Sequence, residues 1–354
     1  MSLLSEPALF TQRIYALIHQ ESALHADFLS SHLRQASLAY FKQPGKCLRP
    51  RLLVLACLAA GGEADDAMPA AAAVEVFHTW TLLHDDIIDH DHLRRGQPSA
   101  HVLGAQLARQ SWALPEETAN DYGRSLAILA GDLLQGQAMH LIAGAPRLAA
   151  ELKNLLLAKM CAELYPQLLG GEQIDVELSF RKPEHCREED ILEMMRLKTG
   201  ALLSYCAWAG VMLAGQDKQE LAAQLAQFAE FCGIAFQLQD DILGVTGNEQ
   251  RLGKSIASDL REGKRTVLLC KAWQKLNQAQ KEHLGKTLGN PQCGSEELEE
   301  ARQIIINSGA IEASAKLAQQ YIDKAENILD KALPDCEDKQ NLRQWSQAML
   351  NRKH

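Results

Sequence analysis

The chain has 354 residues, 47% of them apolar, and carries 36 Lys and Arg against 45 Asp and Glu, a net charge of −9. That apolar share, with 23 Gly and 11 Pro, excludes a disordered tail, a collagen and a disulfide-knotted miniprotein, and an acidic chain without a basic run is a poor partner for nucleic acid. No uninterrupted apolar run of about eighteen residues marks a transmembrane segment, and nine unclustered cysteines read as free thiols of a cytoplasmic protein.

Apolar residues recur at helical spacing almost throughout, and no segment alternates as a strand does. Ala, Leu, Gln and Glu dominate, all good helix formers. The pattern predicts an all-α protein of ten or more helices. Breaks fall at Gly61-Gly62, Gly96-Gln97-Pro98, Gly215-Gln216-Asp217 and Gly289-Asn290-Pro291. Pro69 suits the first turn of a long helix running to about His92, with Asp66 as its cap. The stretch 106–122, around Pro115, reads as a polar insertion. None of the breaks resembles a flexible linker, so residues 1–354 are expected to form a single domain.

Near the end of that long helix stands Asp85-Asp86-Ile87-Ile88-Asp89. Asp85 and Asp89 are four apart and share a helix face, with Asp86 about 100° around. Like charges at that spacing destabilise an isolated helix. Divalent ions are a natural compensation, because Mg²⁺ takes one or two carboxylates plus phosphate oxygens. A solvated acidic helix end is the plainer explanation of one such motif. A second one, Asp240-Asp241-Ile242-Leu243-Gly244, with Gln237 on the same side, is harder to dismiss. Two such helices facing each other would form a metal cage that doubles as a diphosphate site.

Cations alternate with these motifs. Lys46 and Arg49 stand just before a helix, where the backbone dipole also favours an anion. Arg94-Arg95 follow the first acidic motif, Lys198-Thr199-Gly200 ends an amphipathic helix, and Lys254 and Lys264 follow the second motif. Each alone is an ordinary surface charge. Together they suggest two polyanions, one held by metals and one by Arg and Lys.

Lys46…Arg49-Pro50, His78…His84-Asp85-Asp86-Ile87-Ile88-Asp89, Leu93-Arg94-Arg95-Gly96, Gly131-Asp132, Lys198-Thr199-Gly200 and Phe236-Gln237-x-x-Asp240-Asp241 resemble, in order, the trans-isoprenyl diphosphate synthases, or polyprenyl synthetases. The match covers about residues 40 to 270. It implies an all-α isoprenoid synthase fold around a central cavity, a homodimer, and Mg²⁺ as cofactor. It also implies the reaction: an allylic diphosphate bound through Mg²⁺ to Asp85, Asp86, Asp89 and Asp240, with Arg94 and Lys198 helping, loses diphosphate and is condensed with isopentenyl diphosphate. The latter would be held by Lys46, Arg49, His78 and Arg95. Gln237, Thr199, Lys254 and Lys264 would complete the diphosphate shell.

Three departures from the family pattern stand out. Gly244 takes the place of a third Asp, Glu172 takes a Gln position in Gly171-Glu172-Gln173-Ile174-Asp175, and the 106–122 stretch lacks a counterpart in shorter relatives. Trp80 lies about 7–8 Å and Phe77 about 12 Å below Asp85 along the helix. With Thr81 they form a plausible wall of the prenyl pocket, or else ordinary interhelical core. The resemblance points to a C20 product first and C15 second. A class I terpene cyclase would require a second metal motif that the 240–248 run does not supply. A non-catalytic regulatory subunit would not need the complete first motif.

Overall fold

A computed structural model describes residues 6–24, 26–247, 258–290 and 292–350 of the chain. The expected all-α architecture is what it shows. Contacts divide it into two compact units, Met1–Ala158 with Ala209–Lys218, and Lys159–Trp208 with Gln219–His354. All nine cysteines are unbonded.

The first unit runs through α1 (Pro7–Ala23), α2 (Ser31–Ser37), α3 (Leu48–Ala59), α4 (Ala64–Ile88), α5 (Ala100–Trp112), α6 (Glu116–Ala143) and α7 (Ala150–Lys159). The run Ala70 to Ala73 on α4 is wholly buried, and small side chains there let α4 lie close to its neighbours, with Phe10, Ile14, Leu52, Leu53, Leu134 and Ile142 filling the core. Each fully buried Leu, Ile or Phe contributes about 1.5–3 kcal/mol of transfer free energy.

Helix α4 begins earlier and ends sooner than its sequence suggests. Asp65 and Asp66 lie in the first turn, where acidic groups complement the dipole, so Pro69 falls inside the helix. Asp66 is no cap; it pairs with Arg147 at 2.7 Å. The 106–122 stretch, read as a polar insertion, is helical on both sides of Pro115: Gln106–Trp112 complete α5 and Glu116–Tyr122 open α6. These helices are joined so closely that a Cβ on Gly123 would lie 2.1 Å from the His101 carbonyl oxygen.

After α4 the chain makes a two-strand hairpin that periodicity does not predict, β1 (Leu93–Arg94) against β2 (Gln97–Pro98). Two-residue strands are too short to show alternation. Arg95 and Gly96 both have positive φ, 52° and 72°, as a type I′ turn demands.

The second unit contains α8 (Tyr165–Phe180), α9 (Glu188–Met195), most of α10 (Ala201–Ala214), α11 (Gln219–Thr246), α12 (Ser258–Glu262), α13 (Val267–Lys275), α14 (Gln278–Thr287), α15 (Ser295–Asn307), α16 (Ala310–Ala332) and α17 (Glu337–Gln347). Its core joins Ile234 and Leu238 of α11 to Val267 of α13 and Ala318 of α16. Between α9 and α10 the backbone opens into a π-helical turn, Arg196–Gly200. Such turns need support from neighbours and often mark functional positions. Two helical stretches, Glu116–Ala143 and Glu188–Ala214, are long and apolar enough to cross a membrane by length and composition, but 50% and 72% of their apolar windows are buried inside the protein.

Candidate active site

The last i→i−4 bond of α4 runs from the Asp89 N–H to the Asp85 carbonyl at 2.7 Å, so both carboxylates stay on one side of the helix, each partly buried. Asp86 points the other way and is fully buried. It accepts hydrogen bonds from Tyr40 Oη and from the Arg94 fork, whose Nε lies 3.1 Å from Asp86 Oδ2. Tyr40 Oη in turn accepts the Ala100 N–H at 3.0 Å. Asp86, expected among the metal ligands, is thus 0% exposed and engaged by Tyr40 and Arg94, and Arg94, expected beside a diphosphate, has its fork on Asp86. The pair anchors the hairpin to α4, and the buried anion raises the Arg94 pKa despite its desolvation.

That anchoring presents Arg95. Its Nη1 donates to the Gln43 carbonyl at 2.5 Å, and Gly45 admits it, since a Cβ there would lie 2.8 Å from Arg95 Nη2. Cys47, in the left-handed region with φ 47°, turns the chain into α3. Lys46 therefore precedes the helix and is exposed, while Arg49 sits in its first turn. Burial, and then the charges of Arg49, Arg95 and Arg94, hold the His78 pKa well below its usual value, leaving a neutral imidazole. Glu75, buried one turn earlier on α4, is the nearby carboxylate; burial raises its pKa, and Arg49 and Arg95 oppose the rise. A multivalent anion suits this crowd of cations. The structure thus brings together Arg49, His78 and Arg95, while Tyr15, Tyr40 and Glu75 are neighbours that no spacing rule reveals.

Below Asp85, Phe77 is fully buried and its ring meets Trp80 edge-on at 4.9 Å between centroids. Trp80 meets His84 at 5.8 Å. Gly131 of α6 makes room for that imidazole, because a Cβ there would lie 2.2 Å from His84 Nε2. Thr81 donates its hydroxyl to the His78 carbonyl at 2.8 Å.

In the second unit, three glycines set the site. Gly233 of α11 lets the Gly200 backbone approach, and a Cβ on Gly171 would stand 2.4 Å from the Lys198 nitrogen. The π-helical turn therefore lies against both α8 and α11. Lys198 Nζ reaches Glu172 and Asp175, each at 2.7 Å, and Thr199 Oγ1 donates to Gln237 Oε1 at 3.2 Å. The second oxygen of Glu172 is buried with no hydrogen-bond partner among the described residues.

Gln237 Nε2 donates to Asp241 Oδ1 at 3.1 Å, leaving the buried Asp241 Oδ2 with no hydrogen-bond partner among the described residues. Burial, then the carboxylates of Asp259, Asp240 and Asp175, push the Asp241 pKa well above the usual range. A hard divalent cation is the group this crowded donor set fits. Among the described residues no three His, Cys, Asp or Glu are disposed to enclose a metal by themselves. Water and substrate oxygens would have to supply the remaining positions, as Mg²⁺ prefers. Lys264 Nζ lies 3.4 Å from Glu262. Lys254 lies outside the described residues.

Against known proteins, the family model described as polyprenyl synthetase matches residues 30–305. The geranylgeranyl diphosphate synthase of Sulfolobus acidocaldarius is 35% identical over 299 residues, 84% of each chain. The geranylfarnesyl diphosphate synthase of Aeropyrum pernix is 35% identical over 323 residues, 89% of this chain and 94% of its own. Among solved structures, the geranylgeranyl pyrophosphate synthase of Corynebacterium glutamicum, complexed with isoprenyl diphosphate and magnesium, superimposes with a TM-score of 0.86 at 27% identity, over 98% of this chain and 100% of that one.

Proposed function

The chain belongs to the polyprenyl synthetase family, and we propose that it is a short-chain trans-prenyltransferase whose main product is C20 geranylgeranyl diphosphate. It joins an allylic diphosphate head to tail to isopentenyl diphosphate. The allylic C–O bond breaks, the isopentenyl double bond forms the new C–C bond, and a proton leaves to restore an alkene, with diphosphate released. One observation carries this proposal. A single helix, α4, bears His78 amid Arg49 and Arg95 and, seven residues on and so on the same face, the paired carboxylates Asp85 and Asp89. The first place suits an anion held directly by cations, and the second suits an anion held through metal.

Asp85 with Asp89 on the first unit, and Asp240 on the second, would each hold Mg²⁺, which when bound neutralises charge building on the departing diphosphate. Lys46, Arg49 and Arg95 bind isopentenyl diphosphate beside neutral His78. Lys198, Thr199, Gln237, Lys254 and Lys264 complete the allylic diphosphate shell, and fixed positive charge there favours the transition state over the ground state. Arg94 acts through Asp86, by holding the hairpin that presents Arg95. Phe77, Trp80 and Thr81 line the prenyl pocket, and their bulk keeps water from the allylic cation. We assign the whole chain to one synthase domain acting in the cytoplasm as a homodimer. Exposed Ile128 and Leu129 on α6 are side chains that a partner subunit would cover; sedimentation at micromolar concentration reads the assembly mass.

The test is incubation of the purified chain and Mg²⁺ with labelled isopentenyl diphosphate and dimethylallyl, geranyl or farnesyl diphosphate, followed by sizing of the dephosphorylated products. A dominant C20 alcohol is expected. Absence of label incorporation from every starter overturns the assignment and leaves a cyclase or a regulatory subunit. In the same assay Trp80→Ala is expected to lengthen the product beyond C20, since it opens the floor beneath Asp85. Trp80 is 3% exposed, so the cavity also costs about 3–5 kcal/mol of stability. An unchanged product length would show that Trp80 is core and not floor.

A further inference from the structure

Helix α1 lies ahead of the stretch that the family model matches, residues 30–305, yet it reaches the place assigned above to isopentenyl diphosphate. Phe10, Ile14 and Ile18, none more than 1% exposed, seat α1 in the core of the first unit. Tyr15, beside Ile14, is buried as well. Its hydroxyl accepts the Gly45 N–H at 2.9 Å, and its ring meets Phe41 edge-on at 6.0 Å between centroids. Residues 42–47 lie between the short turn Ala39–Phe41 and α3, outside any helix or strand. Two hydrogen bonds that hold them come from side chains distant along the chain. Tyr15 holds Gly45 from 30 residues away, and Arg95 holds the Gln43 carbonyl from 52 residues away. The two supports meet at Gly45, since a Cβ there would lie 2.8 Å from Arg95 Nη2. A hydrogen bond from a helix seated in the core thus fixes the residue against which the guanidinium packs.

We propose that Tyr15 is a positioning residue for isopentenyl diphosphate: from α1 it fixes Gly45, and through Gly45 the spacing of Arg95 from Lys46 and Arg49. Lys46 follows Gly45 directly, and Arg49 lies in the first turn of α3. A shift of Gly45 therefore moves two cations of the site together with the surface that receives the third. The Tyr15 hydroxyl stays protonated while it accepts, because burial and then the nearby Glu75 carboxylate push its pKa up to about 12. Phenylalanine in its place keeps the ring and its contact with Phe41 and removes only the acceptor. Tyr15 acts through Gly45 and not on the substrate. This assignment rests on the proposed synthase function, and the experiment separates failure of one from failure of the other.

The measurement is incorporation of labelled isopentenyl diphosphate by the full chain with Mg²⁺, each substrate being varied in turn. Tyr15→Phe is expected to raise KM for isopentenyl diphosphate about fivefold, through the loss of one hydrogen bond, with kcat and the allylic KM within about twofold of the parent. Gly45→Ala, whose Cβ presses on Arg95, is expected to raise the same KM about tenfold. Both act on one contact, so the double variant should lie within about twofold of Gly45→Ala alone, where independent effects would multiply to about fiftyfold. Circular dichroism reads folding, and if one variant does not fold, the KM split of the other decides. A Tyr15 that serves only stability would lower Tm and leave the KM values alone. A parent-like KM in Tyr15→Phe, a rise shared equally by both substrates, or factors that multiply in the double variant overturns the role of Tyr15 alone. A parent chain that incorporates no label from any starter overturns the functional assignment and this inference with it.

Discussion

Asp85→Asn is expected to lower kcat/KM for the allylic diphosphate about 10³-fold, near 4 kcal/mol of transition-state stabilisation. The substitution keeps shape and hydrogen-bonding reach but removes the charge that attracts a divalent cation. Asp85 is only partly buried, so the folded state has little to lose, and thermal unfolding should scarcely move. The loss should fall mainly on kcat, because charge on the leaving diphosphate is greatest in the transition state. KM for isopentenyl diphosphate should change less, since Lys46, Arg49 and Arg95 are untouched. Raising the Mg²⁺ concentration should recover part of the rate. A variant within about tenfold of the parent at ordinary Mg²⁺ would exclude Asp85 from the metal set.

The second large effect is on stability. Arg94→Met leaves Asp86, with 0% exposure, without its cationic partner. Breaking a buried pair from one side costs about 3–5 kcal/mol, a fall in Tm on the order of 10 °C for a domain of this size. The Tyr40 hydroxyl still donates to Asp86 but carries no charge. The double variant Arg94→Met, Asp86→Asn should recover much of the loss, because it removes the stranded charge as well. Arg94→Lys keeps the charge and loses the fork, and should fall in between. In all three the hairpin that presents Arg95 is loosened, so KM for isopentenyl diphosphate should rise more than kcat falls. If Arg94→Met melts like the parent, the pair does not anchor the hairpin.

Several features of this chain follow from local geometry alone. Asp85 and Asp89 share a helix face because four residues make about one turn, and Asp86 faces elsewhere for the same reason. The order of acidic and basic motifs suffices to carry the resemblance to the polyprenyl synthetases, and helical periodicity suffices for the all-α class. Both hold without knowing which helix lies beside which.

Pairing is different, because it depends on which backbones meet. Asp86 finds Arg94 and Tyr40, Lys198 finds Glu172 and Asp175, and Asp259 comes to stand beside Gly244. The partners are separated by up to 46 residues along the chain. Close approaches at Gly171, Gly200 and Gly233 bring the π-helical turn against α8 and α11. Such approaches require a small residue where another helix's backbone arrives, a condition that one helix cannot express by itself. The same holds for 106–122: the sequence shows a polar insertion around Pro115, whereas the fold packs its two halves into neighbouring helices α5 and α6. Periodicity in a chain reports which side of a helix is buried, whereas the identity of the covering partner is settled by tertiary packing.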